Sequence, residues 1–590
     1  MDKKTVLAVI LLSILFTAFL AVGQKNRPEE ENAALRTSAA EEQADADADS
    51  SNIPATQETI LPQGTASAEK HIAETDLYRI EFSTYGASIT SLQLKGYADG
   101  EIPVEMIQKG SDADWGAFLM YFAKDNQGKP FYGPFAYRDK GNGQFEFQAT
   151  ASAVVDGVNV PFTITKTYTF VPDEYMFEVR IALVQPDGQY LPLNFSGSSY
   201  ALEAGPQIGP SFKKLDNQQT YRKPVYYNGR KSKVLKLGSK PVSIDERVIW
   251  AGIDGKYFAL IGVPDESLYR QIWSSKAVKS AGGEGIQEGT QLSFVRSQIR
   301  SSRQEDRFYF YMGPKQNKEL KRYDAAVQNH FGLANMKMEG IAPGMPVFGW
   351  LEALFKAVLE FIYRFVPNWG WAIVILTVLV KLILFPLTLK SLLSTAKLTD
   401  LQPKIRALQE KYKDDPAGMQ RAQFELYQKE GINPMAGCLP LLLQLPIFIA
   451  LYNLFNKFFE LRGARFFGWI TDLSAPDVIL QFARPLPVLG WTGLHLLPVI
   501  YLLSQFLMNK VMQSDANSQT SQMRTIMWMM PLMFFFIFYQ VASALLVYWI
   551  MSNILSIFQQ VLISYLKKNG HFQNDEGSRS IKNKKKYSAV

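Results

Sequence analysis

The residue best placed to do chemistry in this sequence is a lysine in an apolar setting. Lys381 is the only basic residue in the run Trp369–Leu389, WGWAIVILTVLVKLILFPLTL. At ~1.5 Å per helical residue it falls ~18 Å into a ~30 Å hydrocarbon layer. Inserting a central lysine costs roughly 2.5–3.5 kcal/mol, so its presence requires a reason. One reading is a side chain whose stem snorkels to the nearby interface, eased if Pro386 ends the helix early. The other is a cation held in a water-filled cavity facing a helix bundle. Depth counting favours the cavity. Thr377 lies one turn from Lys381, Gln444 lies ~9 Å inside the end of its own run, and Ser504 and Gln505 lie at the inner end of another. Ser552, Asn553, Ser556, Gln559 and Gln560 occupy the middle and inner half of the last apolar run. Any one of these is more often glue between helices; their shared depth points to a hydrated pocket open on one side.

Other chemistries find little support. Cys438 is the single cysteine, which excludes an intramolecular disulfide and a thiolate cluster. His71, His330, His495 and His571 form no pair at i,i+3 or i,i+4, so no metal site is expected. Neither GxxxxGK[ST] nor GxGxxG occurs, so a standard nucleotide site is not expected and no cofactor is implied. Asp112, Asp114, Asp173 and Glu174 could supply a carboxylate pair for sugar chemistry, but they read better as loop and turn residues.

The elements that must position these residues follow from how the composition is segregated. The 590 residues carry a net charge of +7 and are 47% hydrophobic, which on average describes a large soluble protein. Yet residues 567–590 hold seven basic and two acidic residues, while 29–69 hold ten acidic residues against Arg36 alone. An apolar run, Thr5–Val22, follows Lys3 and Lys4 and is either a cleaved signal peptide or a retained anchor; its length favours an anchor over 1–23 with the N-terminus in the cytoplasm. Residues 24–70 read as an acidic disordered linker. From about Leu77 to Pro314, short alternating segments between Gly, Pro, Asn and Asp read as antiparallel strands of a large β-sandwich, a domain over 71–340 placed outside the cytoplasm. Phe348, Leu351, Phe355, Val358, Ile362 and Phe365 then mark an amphipathic helix within 344–368, either a domain-packing helix or one lying on the outer membrane surface. Five further spans fall at Trp369–Leu389, Cys438–Asn456, about Leu494–Met508, Arg524–Gln540 and Ala544–Leu566, making six in all. The loop 390–434 reads as a helical hairpin, Ser391–Tyr412 and Ala417–Glu430, with Leu401, Ile405, Leu408 and Tyr412 facing Phe424 and Tyr427. Its eight Lys and Arg, with the seven in the tail, place both on the cytoplasmic side, although Lys457, Arg462, Arg465 and Arg484 lie on the other.

Several runs resemble the YidC membrane-protein insertases. These are WGWAIVILTVLVKLILFPLT, LQPKIRALQEKY, NPMAGCLPLLLQLPIFIALYNL, WITDLSAPD and YWIMSNILSIFQQ, in the family's order and covering most of 369–566. WAGIDGKYFALIGVP and FYFYMGPK are weaker matches upstream, to the Gram-negative type with a large periplasmic domain. The resemblance implies a periplasmic β-supersandwich and a five-helix core in the cell inner membrane, enclosing a hydrophilic groove open to cytoplasm and lipid. It implies a substrate slide at Leu445, Pro446, Ile447, Phe448, Tyr548 and Trp549. It further implies insertion of nascent membrane proteins, alone or with the Sec translocon, and contacts of hairpin and tail with the ribosome and with the signal recognition particle and its receptor. Membrane lipid is the remaining partner, and neither an enzyme activity nor a small-molecule substrate is expected. Two departures stand out: the family usually has arginine at the position of Lys381, and Val541–Leu545 replaces a frequent Pro-Ser-Gly. A solute transporter using Lys381 as an anion ligand is the alternative, but the sequence shows no inverted repeat.

Overall fold

The computed structural model describes residues 56–60 and, with short gaps, 68–568; the longer gaps are 108–115, 123–129, 206–221, 342–347, 431–438, 483–490 and 514–520. The expected anchor 1–23, the basic tail from 569 onward, and Asp112 and Asp114 lie outside the described residues. The chain divides after Pro343 into two compact units.

The first unit is built from antiparallel strands whose alternation is visible in the sequence. In Gln144–Val155, and from Phe162 onward in Val158–Phe170, every second residue is buried, and the two strands join through Asp156 and Gly157, both at positive φ (50° and 78°). That is the Asp-Gly hairpin turn whose twist matches its strands. Among the described residues these strands belong to a ten-stranded sheet running Thr56–Ile60, Gln144–Val155, Val158–Phe170, Met176–Val184, Arg303–Pro314, Phe258–Val263, Trp250–Gly255, Arg222–Tyr227 and Ser232–Val234, with Ala136–Gly141 also paired to Gln144–Val155. Thr56–Ile60 corrects the expectation of a wholly disordered linker over 24–70: TQETI, with β-branched residues at both ends, pairs as an edge strand. A four-stranded sheet covers one part of the large sheet, with the Phe82 ring 5.2 Å from Tyr168. A five-stranded sheet covers another, with Phe294 5.7 Å from Phe310.

Gly262 sits at that second contact, where a Cβ would come within 2.4 Å of Phe294 Cζ and 2.7 Å of Phe310 Cε1. Gly262→Ala should therefore destabilise this unit by about 1–3 kcal/mol, as overpacking does. The check is the calorimetric transition of the unit, and an unchanged midpoint would show that the two rings can part freely.

Beyond the last strand the chain folds back on the sheet. The buried Glu174 carboxylate accepts from the His330 N–H at 2.8 Å and the Tyr323 hydroxyl at 3.4 Å, and Trp250 Nε1 donates to the Met336 carbonyl at 2.6 Å. Asp173 occupies a turn at φ 57°. Glu174 thus fastens the segment after the sheet.

The second unit is helical. Its described helices are α1 Gly349–Phe365, α2 Trp369–Asp400, α3 Gln402–Lys411, α4 Pro416–Lys429, α5 Leu439–Lys457, α6 Leu496–Gln513, α7 Ser521–Ile537 and α8 Ser543–Lys568. By length and composition, Trp369–Leu389 (mean hydropathy 2.6) and Ser543–Leu566 (1.6) suffice to cross a membrane, and Leu496–Val511 is a shorter apolar stretch. Asn368 starts α2 by accepting from the Trp371 N–H at 3.1 Å. Pro386 does not end α2; the helix continues to Asp400, because nothing from Leu387 to Asp400 breaks it before Pro403. The first arm of the expected hairpin is therefore partly an extension of α2. Lys404 and Glu430 pair across α3 and α4 at 2.6 Å, and Leu401 and Ile405 are buried, but Phe424 is 60% exposed and does not serve as a hairpin contact.

Helix α1 has two apolar faces. Phe355, Leu359 and Ile362 join the core formed with α2, α5, α6 and α8. Trp350, Leu354, Phe361 and Phe365 point away from it and are exposed. Of the expected stripe, Phe365 thus falls on the outer face, because the apolar surface is wider than one line of 3–4 spacing.

Candidate functional site

One turn of α8 gathers polar side chains from three other helices. Lys381 Nζ of α2 donates to Ser556 Oγ at 2.7 Å. Gln444 Nε2 of α5 reaches Ser552 Oγ at 3.5 Å, the outer limit of a hydrogen bond. Asn553 Nδ2 donates to Ser504 Oγ of α6 at 2.9 Å. Positions 552, 553 and 556 are i, i+1 and i+4, so they share one face of the helix and meet three neighbours at one level. Ser504 in turn donates to the Tyr501 carbonyl (2.7 Å), and Gln505 Nε2 donates to the Tyr501 hydroxyl (3.1 Å). One turn further along α8, Gln560 Oε1 is buried without a protein partner. Thr377 is buried, but its hydroxyl is used by its own helix, donating to the Ile373 carbonyl at 2.7 Å. It shapes α2 and does not join the cluster.

Magnitudes decide what this cluster is for. Hydrogen bonds between helices in a membrane contribute about 0.6 kcal/mol each on average. A lysine at helix mid-depth costs about 2.5–3.5 kcal/mol. A single bond from Lys381 to a neutral serine cannot offset that, so cohesion alone does not account for the cation. Snorkelling is also disfavoured, because Nζ is engaged by α8 and Pro386 leaves the helix intact.

Next to the polar turn lies an aromatic stack. The Trp549 ring is stacked on Phe448 at 5.1 Å and on Tyr501 at 5.2 Å, with Phe538 edge-on at 4.7 Å. Among the residues expected to form a slide, Leu445 is exposed, Pro446, Phe448 and Trp549 are half-buried, and Ile447 and Tyr548 are buried, Tyr548 at 2% exposure. The face available to another chain is thus narrower than the six positions. Tyr501, which links Gln505 to Trp549, was not legible as a site residue; its only sequence signal is a tyrosine one turn before a glutamine in an apolar run.

Fold and site together define the class: a protein with a β-rich unit followed by a helical unit whose apolar, membrane-length helices surround a polar cluster. A family description, YidC periplasmic domain, matches residues 72–335, and another, 60Kd inner membrane protein, matches 361–570. Membrane protein insertase YidC of Treponema denticola is 34% identical over 585 residues, 96% of this chain and 99% of that protein. The Treponema pallidum protein of the same name is 31% identical over 86% of this chain and 88% of its own. A solved structure described as an active YidC insertase with its first transmembrane domain resolved aligns with 89% of this chain and 98% of its own at 18% identity and a TM-score of 0.33. The chain belongs to the YidC family of membrane protein insertases; its activity is insertion of proteins into the membrane and not an enzymatic reaction.

Proposed function

We propose that the α8 polar turn and Lys381 form the floor of a hydrophilic groove through which this insertase moves the polar segments of nascent membrane proteins. The convergence of Lys381, Gln444, Ser504, Ser552, Asn553 and Ser556 from four helices at one level carries this reading. A polar segment crossing hydrocarbon must shed its hydration, which costs several kcal/mol for each unpaired group. A groove offering hydroxyls, amides and one cation replaces that hydration at mid-depth. Lys381 draws in acidic residues of the translocating segment; Leu445, Phe448 and Trp549 then guide the apolar helix of the substrate sideways into lipid.

In this reading the protein crosses the inner membrane six times, through Thr5–Val22 and helices α2, α5, α6, α7 and α8, with both termini cytoplasmic. The lysines and arginines of the hairpin and tail support that orientation. The outer aromatic face of α1 rests on the periplasmic leaflet. The exposed hairpin and the basic tail receive the ribosome and the signal recognition particle with its receptor, and insertion proceeds alone or beside the Sec translocon. The test is site-specific photo-crosslinking to a ribosome-stalled membrane protein. Crosslinkers at Gln444 and Trp549 should capture it, whereas one at the buried Tyr548 should not. Absence of crosslinks from both Gln444 and Trp549 would remove the groove from the mechanism.

A further inference from the structure

The loop that follows α5 binds the starts of two helices at once. Its Asp477 carboxylate Oδ2 accepts from the Leu496 and Leu497 N–H groups at 2.8 and 2.9 Å, the first two free donors of α6, and from Trp469 Nε1 at 2.9 Å. The Asp477 carbonyl contacts His495 Nδ1. Two residues earlier, the Ala475 carbonyl accepts from the Ser543 N–H (2.9 Å) and hydroxyl (2.7 Å), and the Leu473 carbonyl accepts from the Ala544 N–H (2.9 Å), which satisfies the start of α8. The Tyr539 hydroxyl just after α7 accepts from the His495 N–H at 3.3 Å and donates to the Gly493 carbonyl at 3.3 Å. Asp477, His495, Leu473, Ser543 and Tyr539 are all buried. A charged acceptor at a helix start is favoured by both hydrogen bonding and the helix dipole.

This clasp lies well away from the polar cluster along the helices. Ser504 is eight residues into α6 and Asn553 ten into α8, or ~12 and ~15 Å at 1.5 Å per residue. Between the two levels the space is filled by Leu497, Tyr501, Leu454, Leu545 and Tyr548, all buried in one apolar core. A bundle that is polar at one level and apolar above it keeps its one-sided access only while the helix ends above the apolar layer stay together.

We infer that Asp477 is a positioning residue for insertion: by clamping the starts of α6 and, through the loop it anchors, α8, it keeps the apolar layer closed and the groove one-sided. This rests on the groove reading proposed above. The experiment uses the full chain in oriented proteoliposomes, with Cys438→Ser and a reporter Ser504→Cys, labelled by a membrane-impermeant maleimide from either side. With Asp477 intact, the reporter should react from the cytoplasmic side and be protected from the periplasmic side. Asp477→Ala should raise periplasmic labelling about tenfold, the population shift expected from losing a charged cap. Asp477→Asn, whose amide oxygen still accepts from both N–H groups, should restore most of the protection. A reporter unreactive from the cytoplasmic side with Asp477 intact would overturn the groove itself. Cytoplasmic labelling with periplasmic protection unchanged in a folded Asp477→Ala protein would overturn the clasp alone. Should Asp477→Ala not fold, Trp469→Phe and Ser543→Ala each remove one side-chain bond of the clasp. Raised periplasmic labelling in either supports the inference, and unchanged labelling in both overturns it.

Discussion

Replacing Lys381 with methionine should lower the insertion rate of substrates that carry an acidic residue in the translocated segment by about 10- to 100-fold. A cation and a carboxylate ~4 Å apart attract by about 4 kcal/mol at an effective dielectric of ~20, and desolvation of the pair removes a large share of it. What remains corresponds to one or two powers of ten in rate. The methionine keeps the length and apolar stem of the side chain, leaving only the Ser556 hydroxyl without its donor. Stability should hold or rise, because removing an uncompensated cation from an apolar helix offsets the loss of one hydrogen bond. Protease protection of a radiolabelled substrate in proteoliposomes reads the rate. Substrates with a neutral translocated segment serve as the comparison and should be affected far less. Lys381→Arg keeps the charge and a donor towards Ser556 and should retain most of the rate, although a planar guanidinium cannot occupy the ammonium's position unchanged. Equal loss for acidic and neutral substrates would mean that Lys381 serves the groove's shape and not its electrostatics.

The second large effect lies in the β unit. Lys166 is 0% exposed, at an inward position between Ile164 and Tyr168. Its ammonium donates to the Phe118 carbonyl, sits 5.4 Å from the Tyr168 ring centre, and has no carboxylate partner among the described residues. Phe118 itself is held at φ 67°. Burial lowers the Lys166 pKa from 10.5 to about 7. Between those values the unfolded chain binds the proton and the native one does not, so stability rises with pH from about 7 towards 10.5 and is flat below 7. The full span amounts to roughly 5 kcal/mol. Burial pushes Tyr78, Tyr168, Tyr200 and Tyr311 well above their usual value, so these oppose the trend only as pH nears 10, where tyrosines of the unfolded chain ionise. From pH 7 to 9 the unit should therefore gain about 2–3 kcal/mol. Lys166→Met should abolish that slope. At pH 7 it should also stabilise the unit by about 1–3 kcal/mol, the unpaired Phe118 carbonyl taking back part of the benefit. Calorimetry of the full-length protein in detergent at pH 7 and 9 checks both; a wild-type unit with no pH slope would show that water reaches the amine.

Much of the helical unit was legible because its signals are local. The runs from Trp369 to Leu566 are apolar over helical lengths, and Lys381, Gln444, Ser504, Ser552, Asn553 and Ser556 are polar residues within them whose side chains meet. The limits of α2 were not legible past Leu389, since a charged stretch reads as a loop boundary while the backbone of a helix without Gly or Pro simply continues. Thr377 looked equivalent to its polar neighbours, but whether a threonine turns to its own carbonyl or to a neighbouring helix depends on what faces it. Alternation identified strands over about 77–314, yet not how three sheets layer, because strand pairing joins residues far apart in the chain.

The sequence by itself determined the segregation into β-rich and apolar helical regions, the family, and which polar residues fall within the apolar runs. Periodicity, composition and motif order are properties of neighbours along the chain. Only the tertiary structure decided that α8 is the helix on which the polar residues converge, that Tyr548 and Ile447 face the core while Leu445 does not, that Asp477 caps a helix starting 19 residues later, and that Lys166 lies inside a hydrophobic sheet. Those outcomes depend on which surfaces meet, and burial and pairing energies are set by neighbours in space.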